Sequence, residues 1–194
     1  MAKGKRRTKS APGDLRLVQE FVNTKNLMRG YDLLESPESA GRWLAESGFE
    51  VSEETLSQEK LGLLRDLREN MREILLSHNR GASADVGRSV FELNRIVGSV
   101  ALGVHFDPSG EPSLESSSTG VESLTEDLLA AAIRARHTGV WQRLKACANE
   151  ECCWVFYDGS KNRSGSWCVM GICGSRAKMR AYRQRQSGSS RNSA

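Results

Sequence analysis

The stretch "CANEECCWVFYDGSKNRSGSWCVMGIC", Cys147 to Cys173, holds all five cysteines of a 194-residue chain. They fall as C-x4-C, fifteen residues, and C-x4-C, with Cys153 as the odd fifth beside Cys152. Two close pairs separated by enough chain to go out and return form the pattern of a four-sulfur zinc site, with Cys147, Cys152, Cys168 and Cys173 as ligands. Between the pairs, Trp154–Tyr157 reads as an apolar strand, Asp158–Ser166 as a polar turn and Trp167 as the start of the return strand. A segment of about forty residues has too small a core to fold alone, so one zinc ion supplies the missing stability. Four thiolates leave no open coordination position, which makes that zinc structural. Two disulfides would need an oxidising compartment, free buried thiols would not cluster, and an iron–sulfur cluster lacks its usual closer spacings. Cys153 reads as a small, partly buried apolar residue.

Beyond Cys173, Gly174 permits a tight turn and Ser175 is a good N-cap for the helix "RAKMRAYRQRQ". Arg176, Arg180 and Arg183 recur at i, i+4 and i+7 as one positive stripe, flanked by Lys178 and Arg185 and interrupted by no acid. Met179 and Tyr182 fall on another side, where they are expected to pack against the finger. A solvated face is the ordinary reading of such a charge run. Attached to a zinc module, the run instead points to nucleic acid, because cationic side chains gain by neutralising phosphates and releasing counterions.

The charge is unevenly placed. Residues 1–10 carry +5, residues 11–144 carry 14 bases against 21 acids, and residues 145–194 carry 9 bases against 3 acids. A neutral-to-acidic middle with basic ends assigns any contact with nucleic acid to the ends. No apolar run approaches the roughly 18 residues of a membrane span, so no membrane partner is expected. The start, "MAKGKRRTKSAPGD", is followed by no uninterrupted apolar core, which argues against a secretory signal and for a cytoplasmic protein, nucleoid-associated when bound to DNA.

Upstream of the cysteines the reading is an α+β domain over 14–138, preceded by a disordered basic arm (1–13). The finger occupies 139–186 and a polar disordered tail 187–194. "LRLVQEFVNT" (Leu15–Thr24) is rich in Val, Leu and Phe with partial alternation, which favours a strand over a short helix. Ser36, Pro37 and Gly48 bracket a helix over 37–47 that buries Trp43 and Leu44. A longer helix opens at Ser52 with Glu53 and Glu54 and runs to about Ser77 through Leu64, Leu67, Met71 and Ile74/Leu75. Residues 84–97 repeat the pattern with Val86, Val90, Leu93 and Val97. "SVALGVHFDPSGEPSLESSS" places two short apolar runs around an Asp-Pro-Ser-Gly turn, a β-hairpin signal. A last helix, 120–136, carries Val121, Leu124, Leu128 and Ala132.

No catalytic motif is visible: there is no P-loop, G-x-S-x-G or H-E-x-x-H, and His78, His105 and His137 are scattered. The expectation is therefore a protein that is not an enzyme. Asn23 and Thr24 of "FVNT" could line a small-molecule or partner site, although a turn or capping role suits these residue types as well.

Residues 145–185 resemble the CGNR zinc finger, on the four ligand positions, "W-x-F-Y-D-x-S" at Trp154–Ser160, "WC-x-M" at Trp167–Met170 and "R-x-K" at Arg176–Lys178. The chain before them is similar to the ABATE-type domain on "FVNT" at Phe21–Thr24, Asp32 and Trp43-Leu44. The resemblance implies a stress-responsive transcription regulator with no catalytic activity. In it the finger binds DNA, and the N-terminal domain senses a small-molecule effector or recruits a partner. The fold implied is a mainly helical N-terminal domain with a β-hairpin, then a zinc-ribbon or treble-clef-like finger in which a hairpin precedes the basic helix. Two positions depart from the pattern: Ser175 replaces the signature Asn, and Cys153 stands where the family has Gly. The alternative is a zinc-stabilised protein-interaction module that does not touch DNA. A homodimer would compensate for the small contact area of a single finger.

Overall fold

The computed structural model describes residues 10–52, 55–80, 85–98, 100–116 and 118–189. The first element, α1 (Leu15–Val22), is a helix and not the strand that its composition favoured. Leu15, Val18, Phe21 and Val22 share one helical face and are all buried, and a strand would have split them between two faces. The basic arm lies outside the described residues through position 9. Its last part is ordered: Ala11 is buried, and its N–H donates to Gln19 Oε1 at 2.6 Å.

A two-residue ladder, β1 (Lys25–Asn26) with β2 (Tyr31–Asp32), leads into α2 (Pro37–Glu46). The start of α2 follows from its sequence. Pro37 occupies the first turn, and Ser36 and Ser39 exchange side-chain to backbone hydrogen bonds of 3.2 Å in a capping box. The long helix α3 (Gln58–Arg80) starts six residues later than Ser52, because Ser57 Oγ accepts from Lys60 N at 3.2 Å and caps it; Glu53 and Glu54 lie outside the described residues. Its buried stripe, Leu61, Leu64, Leu67, Met71 and Leu75, runs through the centre of the molecule.

Helix α4 (Gly87–Val97) turns a different side inward from the one its valines suggested: Ser89 and Ile96 are buried and Val90 is exposed. The hairpin β3 (Leu102–Phe106) with β4 (Pro112–Ser116) forms as read, its turn held by Asp107 Oδ1, which accepts from Ser109 N and Glu111 N. Helix α5 (Gly120–His137) buries Val121, Leu124, Leu128, Ala131 and Ala135.

The finger's hairpin is a wall of this same core. Strands β5 (Leu144–Ala146) and β6 (Val155–Tyr157) pair antiparallel, and Leu144, Ala146 and Val155 belong to the core cluster built by α1, α3 and α5. The expected return strand at Trp167 does not form, because β6 pairs backward onto β5. The chain from Asp158 to Ser166 is instead a loop pinned by a buried ion pair, Lys145 Nζ to Asp158 Oδ2 at 2.9 Å. Burial pushes the Asp158 carboxyl up, but hydrogen bonds from Ser160, Lys145 and Gly165 outweigh it and hold the group well below its ordinary range. Gly165 is required there, since a Cβ would sit 2.8 Å from Asp158 Oδ1.

Side-chain hydrogen bonds to backbone complete the seam. Asn23 satisfies both backbone groups of Val155, donating from Nδ2 to its carbonyl (2.9 Å) and accepting its N–H on Oδ1 (2.8 Å), while Gln19 donates to the same carbonyl. Arg72 donates to Cys153 O at 2.9 Å and to Val22 O at 2.6 Å. Asn79 donates to Ala146 O and Ser166 O, and His78 Nδ1 meets Leu144 O at 2.8 Å. Removing the Asn23 carboxamide leaves the buried Val155 N–H without a partner and its carbonyl with the Gln19 contact alone. Asn23→Ala is therefore expected to lower unfolding free energy by about 1–3 kcal/mol in urea titrations, and a loss under about 0.5 kcal/mol would contradict this role.

Candidate metal centre and its basic helix

The first cysteine pair brackets a knuckle between β5 and β6. Cys152 N and Cys153 N both donate to Asn149 O, at 2.8 and 3.0 Å, and Cys153 takes a left-handed backbone with φ of 45°. That conformation suits glycine, so the fifth cysteine occupies a strained corner. Its sulfur turns to the carbonyl oxygens of Asn149 and Glu150, away from the other four.

The second pair lies at the start of the terminal helix. Cys168 precedes a wide helical turn, Met170–Gly174, that carries Cys173 and passes without a break into α6 (Ser175–Ser189). Ser175 is thus already helical and does not cap. The run begins after Val169, whose carbonyl accepts from Cys173 N at 2.9 Å. Gly174 takes no left-handed backbone angle; a Cβ there would crowd the exposed Met170 side chain and lie 3.1 Å from Trp167.

These elements bring the sulfurs of Cys147, Cys152, Cys168 and Cys173 within 4.8 Å of one another. The Cys152–Cys168 and Cys168–Cys173 separations are 3.6 and 3.7 Å. A tetrahedron with Zn–S bonds of about 2.3 Å has edges of about 3.8 Å, so the donor set fits one zinc ion. Thiols this close cannot all ionise unaided. Hydrogen bonding from Cys152 and then Cys168 holds the Cys147 thiol far below its ordinary value, and the same contacts push Cys152 and Cys168 up. A divalent cation removes that conflict, and four protein ligands leave it no site for substrate.

A family model for the CGNR zinc finger matches residues 143–186. The ABATE family model, described as "Putative stress-induced transcription regulator", matches residues 15–138, more than half of the chain. The chain belongs to the ABATE family. No curated protein gives a significant match.

The ABATE motif residues have defined tasks in the structure. Asp32 forms a two-pronged ion pair with Arg68, at 2.5 and 2.7 Å, and Arg68 is only 1% exposed. Burial pushes the Asp32 carboxyl up, but Arg68 and the Leu34 N–H outweigh it and hold the group below its ordinary range. Thr24 donates to Phe21 O and accepts from Arg68, and Asn23 is committed to Val155. Both border a cleft with Leu33 and Trp43; Thr24 closes the turn after α1, while Asn23 serves the Val155 backbone and not a turn. Trp43 and Leu44 are buried in the core.

Sequence reasoning missed Asn149, which is fully buried and central. Its Nδ2 lies 3.9 Å from Cys173 Sγ, and its Oδ1 accepts from Arg180 at 2.5 Å. Its place inside the first C-x4-C knuckle was the available signal. Arg180 also reaches Glu151 at 3.6 Å and so braces α6 against the knuckle. Arg176 approaches Met28 Sδ at 3.9 Å, while Lys178, Arg183 and Arg185 are exposed. Met179 and Tyr182 are 53% and 55% exposed and do not pack into the finger as expected, because the half-buried residue of that turn is Ala177. The tail expected from 187 is helical through Ser189, and residues 190–194 lie outside the described residues.

Elemental analysis should give one zinc per chain, lost in Cys152→Ser. It should be kept in Cys153→Gly, with a stability change under about 1 kcal/mol. Zinc loss in Cys153→Gly would make Cys153 a ligand and overturn the assignment.

Proposed function

We propose that this zinc-binding ABATE-family protein is a transcription regulator that contacts DNA through α6, with Arg176, Lys178, Arg183 and Arg185 meeting phosphates. The observation that carries the reading is the charge of this helix: five bases and no acid from Ser175 to Ser189, with Arg180–Glu151 its one ion pair among the described residues. Arg176, Arg180 and Arg183 line a shallow groove with Ile172, Ser175 and Met179, and Glu151, the acid in its lining, is the one that pairs with Arg180. Its electrostatic gain on DNA comes from displaced counterions. Arg180 contributes chiefly by holding the helix in place. The ABATE domain uses its buried ion pair, Asp32 with Arg68, to hold the β1–β2 segment to α3. Sensing or partner binding suits it, and no helix among the described residues is long and apolar enough to cross a membrane.

One observation favours the second reading, a protein-interaction module: Met170, Met179 and Tyr182 expose apolar surface close to the same arginines. The two readings differ in salt dependence. Arg183→Gln with Arg185→Gln should keep one zinc, weaken retention on duplex DNA about tenfold or more, and make the dependence of log affinity on log salt shallower by about 2. Unchanged DNA retention with zinc intact would sink the DNA reading and leave the interaction module.

A further inference from the structure

Cys168 differs from the other three ligand cysteines in exposure. Cys147, Cys152 and Cys173 are buried, whereas Cys168 is half-buried. Cys168 Sγ lies between the other sulfurs, 3.6 Å from Cys152 Sγ and 3.7 Å from Cys173 Sγ, so a group bonded to it enters the ligand set directly.

A cavity of about 300 Å³ is lined by three of the four ligand cysteines, Cys152, Cys168 and Cys173, of which Cys168 is the most exposed. Met28 and Tyr31 of the β1–β2 hairpin, Trp154, Val169 and Ile172 wall it with Asn26 and Arg29, and no carboxylate is among the described residues that line it. This volume lies at the small end of ligand sites and suits a single planar ring. Thioether, aromatic and branched aliphatic walls favour an apolar molecule over a charged one, and a guanidinium can donate to a carbonyl oxygen.

We propose that Cys168 is a modification site, alkylated by small apolar electrophiles of the α,β-unsaturated carbonyl class, quinones among them, that enter through this cavity. The lone pair of Cys168 Sγ forms a bond to the β-carbon. The C=C π pair moves onto the carbonyl oxygen, which takes a proton from water, and no oxidant is consumed. The resulting thioether sulfur carries no charge, so three thiolates remain for the metal and its hold weakens. Because Cys173 sits in the turn that opens α6, losing the metal frees the basic helix. The proposal rests on the metal centre and is independent of DNA contact.

The test uses zinc-loaded full-length protein with one equivalent of 1,4-benzoquinone, quenched early. Peptide mass spectrometry locates the adduct, and a chromogenic chelator follows zinc. The expected adduct forms on Cys168 at least about tenfold ahead of the other four cysteines, with zinc released in equal molar amount. Ile172→Trp, which fills the cavity, should keep one zinc and slow the reaction about tenfold relative to free glutathione. A first adduct on Cys153, an even spread over the ligands, or wild-type reactivity in zinc-loaded Ile172→Trp would overturn the proposal. Should Ile172→Trp fail to hold zinc, the site of the first adduct in the wild-type chain decides by itself.

Discussion

The Asn23 carboxamide holds both backbone groups of Val155, and the finger's place in the molecule depends on this contact. Val155 follows the knuckle directly, so fixing its peptide groups fixes where Cys152 and Cys153 emerge. Arg72 repeats the device one turn of chain earlier by binding Cys153 O, and its other nitrogens tie Val22 O and Glu69 to the same helix. Buried peptide groups are costly to leave unpaired, so these side chains do the work that a third strand would do in a larger sheet. The two family segments meet in sequence between 138 and 143, yet physically they share one core.

The metal then acts on what this seam leaves loose. β5 and β6 are held by the core, but Cys168, the turn after it and α6 have little apolar contact of their own: Met170, Met179 and Tyr182 face outward. A centre with two ligands from the fixed knuckle and two from the turn joins the helix to the core. Asn149 and Arg180 add a polar brace across the same gap. The helix that carries the exposed cations is therefore aimed by sulfur, one amide and one guanidinium more than by hydrophobic packing.

Much of this was legible in the residues. Spacing alone gave the four ligands, Ser36 and Pro37 gave the start of α2, and Asp107 to Gly110 gave the hairpin turn, because each depends on local geometry. Where the reading failed, contacts distant in sequence decided the outcome. Leu15 to Val22 became a helix because α3 and α5 offered one face to bury. α6 has no cap at Ser175, because the wide turn around Cys173 already supplies its first hydrogen bonds. The roles of Asn23 and Asn149 were hidden for a simpler reason: an Asn that completes a buried backbone pair has the same local sequence signal as one that caps a turn.

The most direct measurement is amide hydrogen exchange on the full chain with zinc bound and after chelation. A finger sharing one core with the ABATE domain should lose protection on zinc removal at residues 168–180, and also at 144–157 and on the facing parts of α1 and α3 around Asn23 and Arg72. Loss confined to the cysteine segment, with α1 and α3 protected as before, would contradict the account and make the finger an independent module.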